Sequence, residues 1–235
     1  MSFYDNFYQR DKITRVGKYM VKSHNRYLIK LILKYASKNS RNLKVLEIGP
    51  GVGYFAAECK KYGLSYTAIE QNVEMCKRLK KIGFEIYNRS VPPLRIKTKY
   101  DVIIMNHVIE HMSGYKEAVS LFRGCTDGLS SGGLLITLAP DIKYFKEDFF
   151  VSDYTHGFPI SLYSLRQLYF DFDYKIKYSG VYSFLLMRGH VFAFLNRKIV
   201  GSLYYMGLLD FVFRDKAYKI KNLSNASCIV VGKHD

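Results

Sequence analysis

The sequence predicts an α/β protein: a doubly wound, mostly parallel sheet of seven strands, preceded by N-terminal helices and carrying a C-terminal helical cap insertion. Three observations carry this reading. Between residues 44 and 140 short apolar runs alternate with helical stretches, the pattern of a parallel sheet covered on both faces. The first apolar run ends in Gly49, Gly51 and Gly53, which mark a sharp strand-to-helix turn. Residues 181–224 are rich in Phe, Leu and Tyr but broken by Arg188, His190, Arg197, Lys198 and Asp210, too long for a connection and too apolar for a disordered loop.

The elements follow in order. Lys18, Lys22, Arg26, Lys30, Lys34 and Lys38 recur every four residues, with Tyr19, Met20, Tyr27, Leu28, Leu31, Ile32 and Leu33 between them, so 18–38 reads as an amphipathic helix. Strands are predicted at 44–49, 65–70, 84–87, 101–106 and 134–139, with helices at 54–61, 73–81 and 115–125. After Pro140 the alternation loosens into a helix at 161–170 and strands at 174–180 and 226–232. Three parts result: an N-terminal helical lid (1–43), a sheet domain (44–180 and 225–235) and a helical cap (181–224). A chain of 235 residues, 49% apolar, buries roughly 70% of its unfolded surface and needs no metal or disulfide to fold.

Charge and cysteine content narrow the class. Lys and Arg number 36 against 20 Asp and Glu, and residues 1–44 hold 11 basic and 2 acidic side chains, more than half of the net +16. The basic helix is a solvated face, or it attracts an anionic substrate, an acidic membrane surface or RNA. Cys59, Cys76, Cys125 and Cys228 stand far apart without metal or redox spacing, which suggests reduced thiols and a cytoplasmic protein, at most peripheral at the inner membrane face. No segment reaches the roughly 18 apolar residues of a membrane span, and Met1–Arg10 has no secretory pattern.

The glycine turn carries the first chemistry. Glycines after a strand let a ligand approach bare backbone at the carboxyl edge of the sheet. A G-x-G-x-x-G dinucleotide fingerprint would need glycine where this chain has Tyr54. Glu47 lies within the strand, where a carboxyl is costly without a partner; a cationic amino group on a ligand would supply one. The run Val45-Leu-Glu-Ile-Gly-Pro-Gly-Val-Gly53 resembles motif I of the class I S-adenosylmethionine (SAM)-dependent methyltransferases, whose fold is Rossmann-like. The resemblance covers 45–140 well and 141–235 in outline. It implies SAM as cofactor, with S-adenosylhomocysteine (SAH) as product, and places Glu47, Gly49, Pro50, Gly51, Gly53, Glu70, Gln71, Ser90, Val91 and Asn106 around it. Glu70, 17 residues after Gly53, takes the position of the family's ribose-binding carboxylate. Ser90 stands where such families usually carry the acid facing adenine, and a serine there hydrogen-bonds more weakly.

His107, Glu110 and His111 follow the fourth strand at i, i+3 and i+4, and share a face if the turn is helical. H-x-x-E-H also matches an inverted zinc-protease motif, but that motif belongs inside a long catalytic helix and this one follows a buried strand. The segment resembles the post-strand-four motif of small-molecule methyltransferases. In the similar quinone-pathway O-methyltransferases an acid at the position of His107 and the Glu-His pair are associated with a metal; histidine replaces that acid here, and no metal is assigned. Asp153-Tyr-Thr-His156 and the helix after it resemble a segment of surface-glycan methyltransferases; His156 is either a general base that Asp153 orients or part of an Asp-x-x-His turn that ties the loop down. Phe3–Tyr8 resembles an aromatic lid.

These readings imply a SAM-dependent methyltransferase with His107, His111 and His156 as candidate catalytic residues. The expected acceptor is a small molecule or glycan, anionic in character: a sugar hydroxyl of a surface glycan, a nucleotide-sugar or a lipid-linked intermediate. Nucleic acid is a less favoured partner, since the strand end lacks [DN]-P-P-[FYW] and no Pro-Cys nucleophile occurs. An RNA methyltransferase, a quinone-pathway O-methyltransferase and a non-catalytic partner subunit are the alternatives.

Overall fold

The computed structural model describes residues 15–36, 42–183, 190–209 and 225–235. The expected aromatic lid Phe3–Tyr8, Lys38 and the cap residues Arg188 and Asp210 lie outside these. Helix α1 (Arg15–Tyr35) precedes an alternating series: β1 (Lys44–Ile48), α2 (Tyr54–Lys61), β2 (Ser65–Glu70), α3 (Val73–Lys81), β3 (Glu85–Asn88) and β4 (Tyr100–Asn106). A 3-10 turn (Ile109–His111), α4 (Tyr115–Gly128), β5 (Leu129–Pro140) and the short α5 (Ile142–Phe145) and α6 (Asp148–Val151) come next. The chain ends with α7 (Leu162–Asp171), β6 (Lys175–Ser183), α8 (His190–Tyr205) and β7 (Ala226–Lys233). The seven strands of the described residues pair in one sheet of order β3-β2-β1-β4-β5-β7-β6, in which β7 runs opposite to the other six. This is the doubly wound, Rossmann-like sheet that the alternation predicts. β6 extends to Ser183, three residues into the segment read as cap, because its edge keeps pairing with β7 as far as Ala226.

Strand alternation sorts the core into two layers. Val45, Val102 and Ile104 point to a layer shared with Leu28 and Ile32 of α1, Phe55 of α2 and Leu79 of α3. Leu46, Ile48, Ile103 and Met105 point to the opposite layer, against Leu121 and Phe122 of α4 and Leu165 of α7. The Tyr169 hydroxyl, buried in that second layer, lies 2.9 Å from Thr137 Oγ1 and donates toward Leu135 O and Val230 O, joining α7 to β5 and β7. On α1 the apolar stripe is buried, while Lys18, Lys22, Arg26, Lys30 and Lys34 all face solvent. The four cysteines are buried and free.

Glu47 shares the layer of Val45 and is only 2% exposed. The structure gives it a protein partner where the sequence suggested a ligand: the Tyr66 hydroxyl, one strand away on β2, donates to its Oε2. Burial dominates all the same and pushes the carboxyl up to about pKa 8, against the pull of the Tyr66 hydrogen bond and with help from nearby Glu70. An unfolded glutamate ionises near 4.5, so the stability this group contributes is full below that pH and is lost as pH rises through about 8. Replacing Glu47 by Gln should therefore remove a fall in stability of a few kcal/mol, to order of magnitude, across that window. Thermal unfolding of both proteins as a function of pH checks this; curves that stay parallel would contradict it.

Candidate active site

The sheet reverses its strand order between β1 and β4, the place at whose carboxyl ends open α/β sheets bind ligands. Ile48 is in register with Ile69 on one side and Met105 on the other, so the glycine turn, Glu70 and Asn106-His107 share one edge. Gly49, Gly51 and Gly53 all adopt left-handed backbone, φ 69°, 52° and 82°. Their reasons differ. A Cβ on Gly49 would sit 2.8 Å from Val108 Cγ2, and one on Gly53 would run into Leu79. A Cβ on Gly51 would meet nothing within 4 Å, so the middle glycine faces open space. Pro50 is buried beneath the turn and accepts the Gly53 N–H at 2.9 Å.

Glu70 closes this space from β2. It is buried, and its carboxylate accepts the Gly51 N–H at 3.3 Å and the Asn72 N–H at 2.8 Å. Burial raises its pKa and these backbone donors oppose the rise. Asn72 also caps α3 by accepting from Met75 N. Asn88, which sequence reasoning did not single out, donates to the Glu70 and Gln71 carbonyls at 2.9 and 3.0 Å and fixes the end of β2. Its only signal was its place at the end of β3. Gln71 and Ser90 are exposed, and Val91 packs partly buried on the α4 side.

The β4 edge gathers the histidines. His107 has left-handed backbone, φ 60°, a conformation that costs an L-residue about 1–2 kcal/mol. Its N–H donates to Leu138 O, and its Nδ1 lies 3.0 Å from Glu110 Oε1. Glu110 is 1% exposed, and its Oε2 has no hydrogen-bond partner; nor has the buried Nε2 of His107. The condition for one shared helical face is not met: only Ile109–His111 is helical, as one 3-10 turn, and His107 precedes it. His111 instead meets Thr155, Nδ1 to Oγ1 2.8 Å. The Thr155 hydroxyl donates in turn to Asp153 Oδ1 at 2.7 Å, so Asp153 orients His111 through Thr155, a correction to the expected orientation of His156. His156 is held by a 2.6 Å contact from its Nδ1 to Phe149 O, and its ring lies 5.1 Å from that of His111. Backbone stitches the two segments together, since Gly157 N–H and Phe158 N–H both donate to Glu110 O at 2.9 and 3.0 Å. One donor atom from each of Glu110, His111 and His156 falls within 4.8 Å of the others, an arrangement able to hold a metal ion.

A fourth histidine was missed. His24 of α1 is buried, with its pKa pushed down to about 4 by burial first and repulsion from His107 second, against a hydrogen bond with Asn106. The helical spacing that buries Tyr27, Leu28, Leu31 and Ile32 also covers position 24, and that was the available signal.

Residues 20–177, more than half of the chain, match the family described as methyltransferase domain. No curated protein matches the sequence. Among solved structures, magnesium protoporphyrin IX methyltransferase from Synechocystis PCC 6803, solved with bound SAH, is similar at 14% identity, covering 99% of this chain and 92% of that one, with a TM-score of 0.62. A SAM dependent methyltransferase from Archaeoglobus fulgidus shows 14% identity over 89% and 94% of the chains, TM-score 0.58. Phosphoethanolamine N-methyltransferase 2 from Haemonchus contortus, in complex with S-adenosyl-L-methionine, shows 16% identity over 100% of this chain and 60% of that one, TM-score 0.61. The match over 20–177 and the shared sheet agree with the glycine turn: the chain belongs to the methyltransferase-domain family, with the class I fold its first motif resembles.

Proposed function

We propose that the chain methylates a hydroxyl of a small acceptor with SAM as donor, the acceptor being a sugar of a surface glycan, a nucleotide-sugar or a lipid-linked intermediate. One observation carries the donor reading: the open space over left-handed Gly51, closed on its far side by the Glu70 carboxylate. The residues present fit SAM. Each oxygen of Glu70 accepts a backbone N–H and keeps capacity for a ribose diol, while Glu47, paired with the Tyr66 hydroxyl, lies in the core at the end of β1. The other positions implied by the motif, Pro50, Gln71, Ser90, Val91 and Asn106, belong to the same edge of β1 to β4 in this reading.

When bound, SAM supplies a methyl group already activated on sulfur, so the chain needs only to align the acceptor and remove one proton. His107 donates its Nδ1–H to the Glu110 carboxylate and buries its Nε2, so in this reading it holds Glu110 in place and the proton passes to His111 or His156. His111 and His156, each tied down through Nδ1, present Nε2 to the acceptor. The buried His24 packs beside Asn106 and His107 and excludes water from that side.

The solvent-facing cations of α1 favour an anionic acceptor, and exposed Tyr154 and Tyr163 offer flat rings for a sugar face. They also suit transient contact with an anionic membrane surface; among the described residues no helix is long and apolar enough to cross a membrane. The acceptors named for similar structures, a porphyrin and phosphoethanolamine, differ from one another, so the shared fold leaves the acceptor open to test.

Methyl-labelled SAM supplied with nucleotide-sugars, lipid-linked glycans, a quinone precursor and RNA should place label on a sugar hydroxyl. Label on the quinone precursor or RNA alone, or no transfer by a protein that binds SAM, would contradict the acceptor reading. Glu70→Ala should weaken SAM binding about 10- to 100-fold, since charge-assisted hydrogen bonds contribute roughly 1.5–3 kcal/mol, and leave the domain folded. Equal affinity would remove its ribose role. Gly51→Ala should cost only about 1–2 kcal/mol of stability yet impair donor binding, whereas Gly53→Ala should destabilise more through Leu79; denaturant unfolding and calorimetry separate the two.

A further inference from the structure

We propose that Glu110, His111 and His156 form a binding site for one divalent transition-metal ion. The donor atoms already lie within 4.8 Å of one another, and the segments that carry them are stitched by the paired hydrogen bonds from Gly157 and Phe158 to Glu110 O. The tautomers are set as a metal requires. His156 Nδ1 faces the carbonyl of Phe149, which can only accept, so that nitrogen carries the hydrogen and Nε2 the lone pair. His111 Nδ1 faces the Thr155 hydroxyl, whose own hydrogen is committed to the Asp153 carboxylate, so His111 likewise keeps its lone pair on Nε2. Metal-bound histidines show this arrangement, the second nitrogen donating to a carbonyl or to a hydroxyl and carboxylate behind it.

The carboxylate supplies the independent sign of a missing ligand. Glu110 is 1% exposed, its Oε1 serves His107, and its Oε2 is buried without a hydrogen-bond partner. A carboxylate oxygen left so is costly unless a cation or donor completes it. Two imidazoles and one carboxylate suit zinc, iron or manganese better than magnesium, and three protein donors leave coordination positions open. This differs from the acid-Glu-His set of the quinone-pathway enzymes. His107 takes the place of their first acid and pairs with Glu110, while the third donor comes from the 153–158 loop. The assignment revises the sequence reading, which placed no metal here because histidine stands at position 107 where the similar enzymes carry an acid; the third donor, His156, lies 45 residues from His111.

Resting on the reading above but taking the place of its histidine base, a bound ion would hold the acceptor hydroxyl at an open position and favour loss of its proton to water. The test does not depend on turnover. Full-length protein, freed of metal with a chelator, is titrated calorimetrically with Zn2+, metal content is measured after gel filtration, and SAM is titrated into the same samples. The expected result is one zinc per chain, with binding abolished in His156→Ala and weakened about 10- to 100-fold in Thr155→Val, which keeps the side-chain shape but removes the hydroxyl behind His111. No zinc binding by wild type that still binds SAM overturns the metal site and leaves the methyl-donor reading intact. Zinc bound equally by wild type and both variants also overturns it, because the ion then sits elsewhere. Zinc binding without SAM binding supports the site and removes the donor reading instead.

Discussion

The hydrogen-bonded register of β1 between β2 and β4 is the constraint on which the rest of the site depends. Ile48 pairs with Ile69 and with Met105, so three strands end at one level and their next residues share one edge of the sheet. Gly49 to Gly53, Glu70 and Asn106-His107 are brought together by that register and by nothing in their sequence spacing. A slip of one residue in either pairing would send Glu70 or Met105 to the opposite face. The bond from Gly51 N–H to Glu70 then locks the turn to the neighbouring strand.

Around that edge the chain buries ionisable groups that water would otherwise stabilise. Glu47, Glu70 and Glu110 are all nearly inaccessible, and His24 is held neutral beside His107. The three carboxyl groups each have a specific companion: a tyrosine hydroxyl, backbone N–H groups, or the His107 ring. Left-handed backbone at His107 adds a further cost. Such costs persist where the surrounding fold over-determines them, and here two core layers clamp β1 and β4 from both sides. The concentration of buried ionisable groups and strain at one strand edge, in a sheet otherwise lined by aliphatic side chains, marks that edge as the candidate site.

Much of this fold was legible in the sequence because its signals are local. The alternation of apolar runs gave α2, β2 and α3 to the residue, and the three glycines marked the turn whose left-handed backbone they adopt. What lay hidden depends on contacts between distant segments. Tyr66 as the partner of Glu47 follows from strand pairing. The relay from Asp153 through Thr155 to His111 joins a loop to a turn 44 residues earlier, so the Asp-x-x-His spacing pointed to the wrong histidine. The helical face expected for His107, Glu110 and His111 shortened to one 3-10 turn. His24 was visible only as one more position on the buried stripe of a basic helix.

The central claim is that the β1 turn and the β2 carboxylate form a site for SAM. Calorimetric titration of the unmodified chain with SAM, SAH and NAD tests it most directly. The account predicts micromolar binding of SAM and SAH and none of NAD. Absence of binding to either sulfur ligand by the folded protein would contradict it and leave a methyltransferase fold serving as a scaffold.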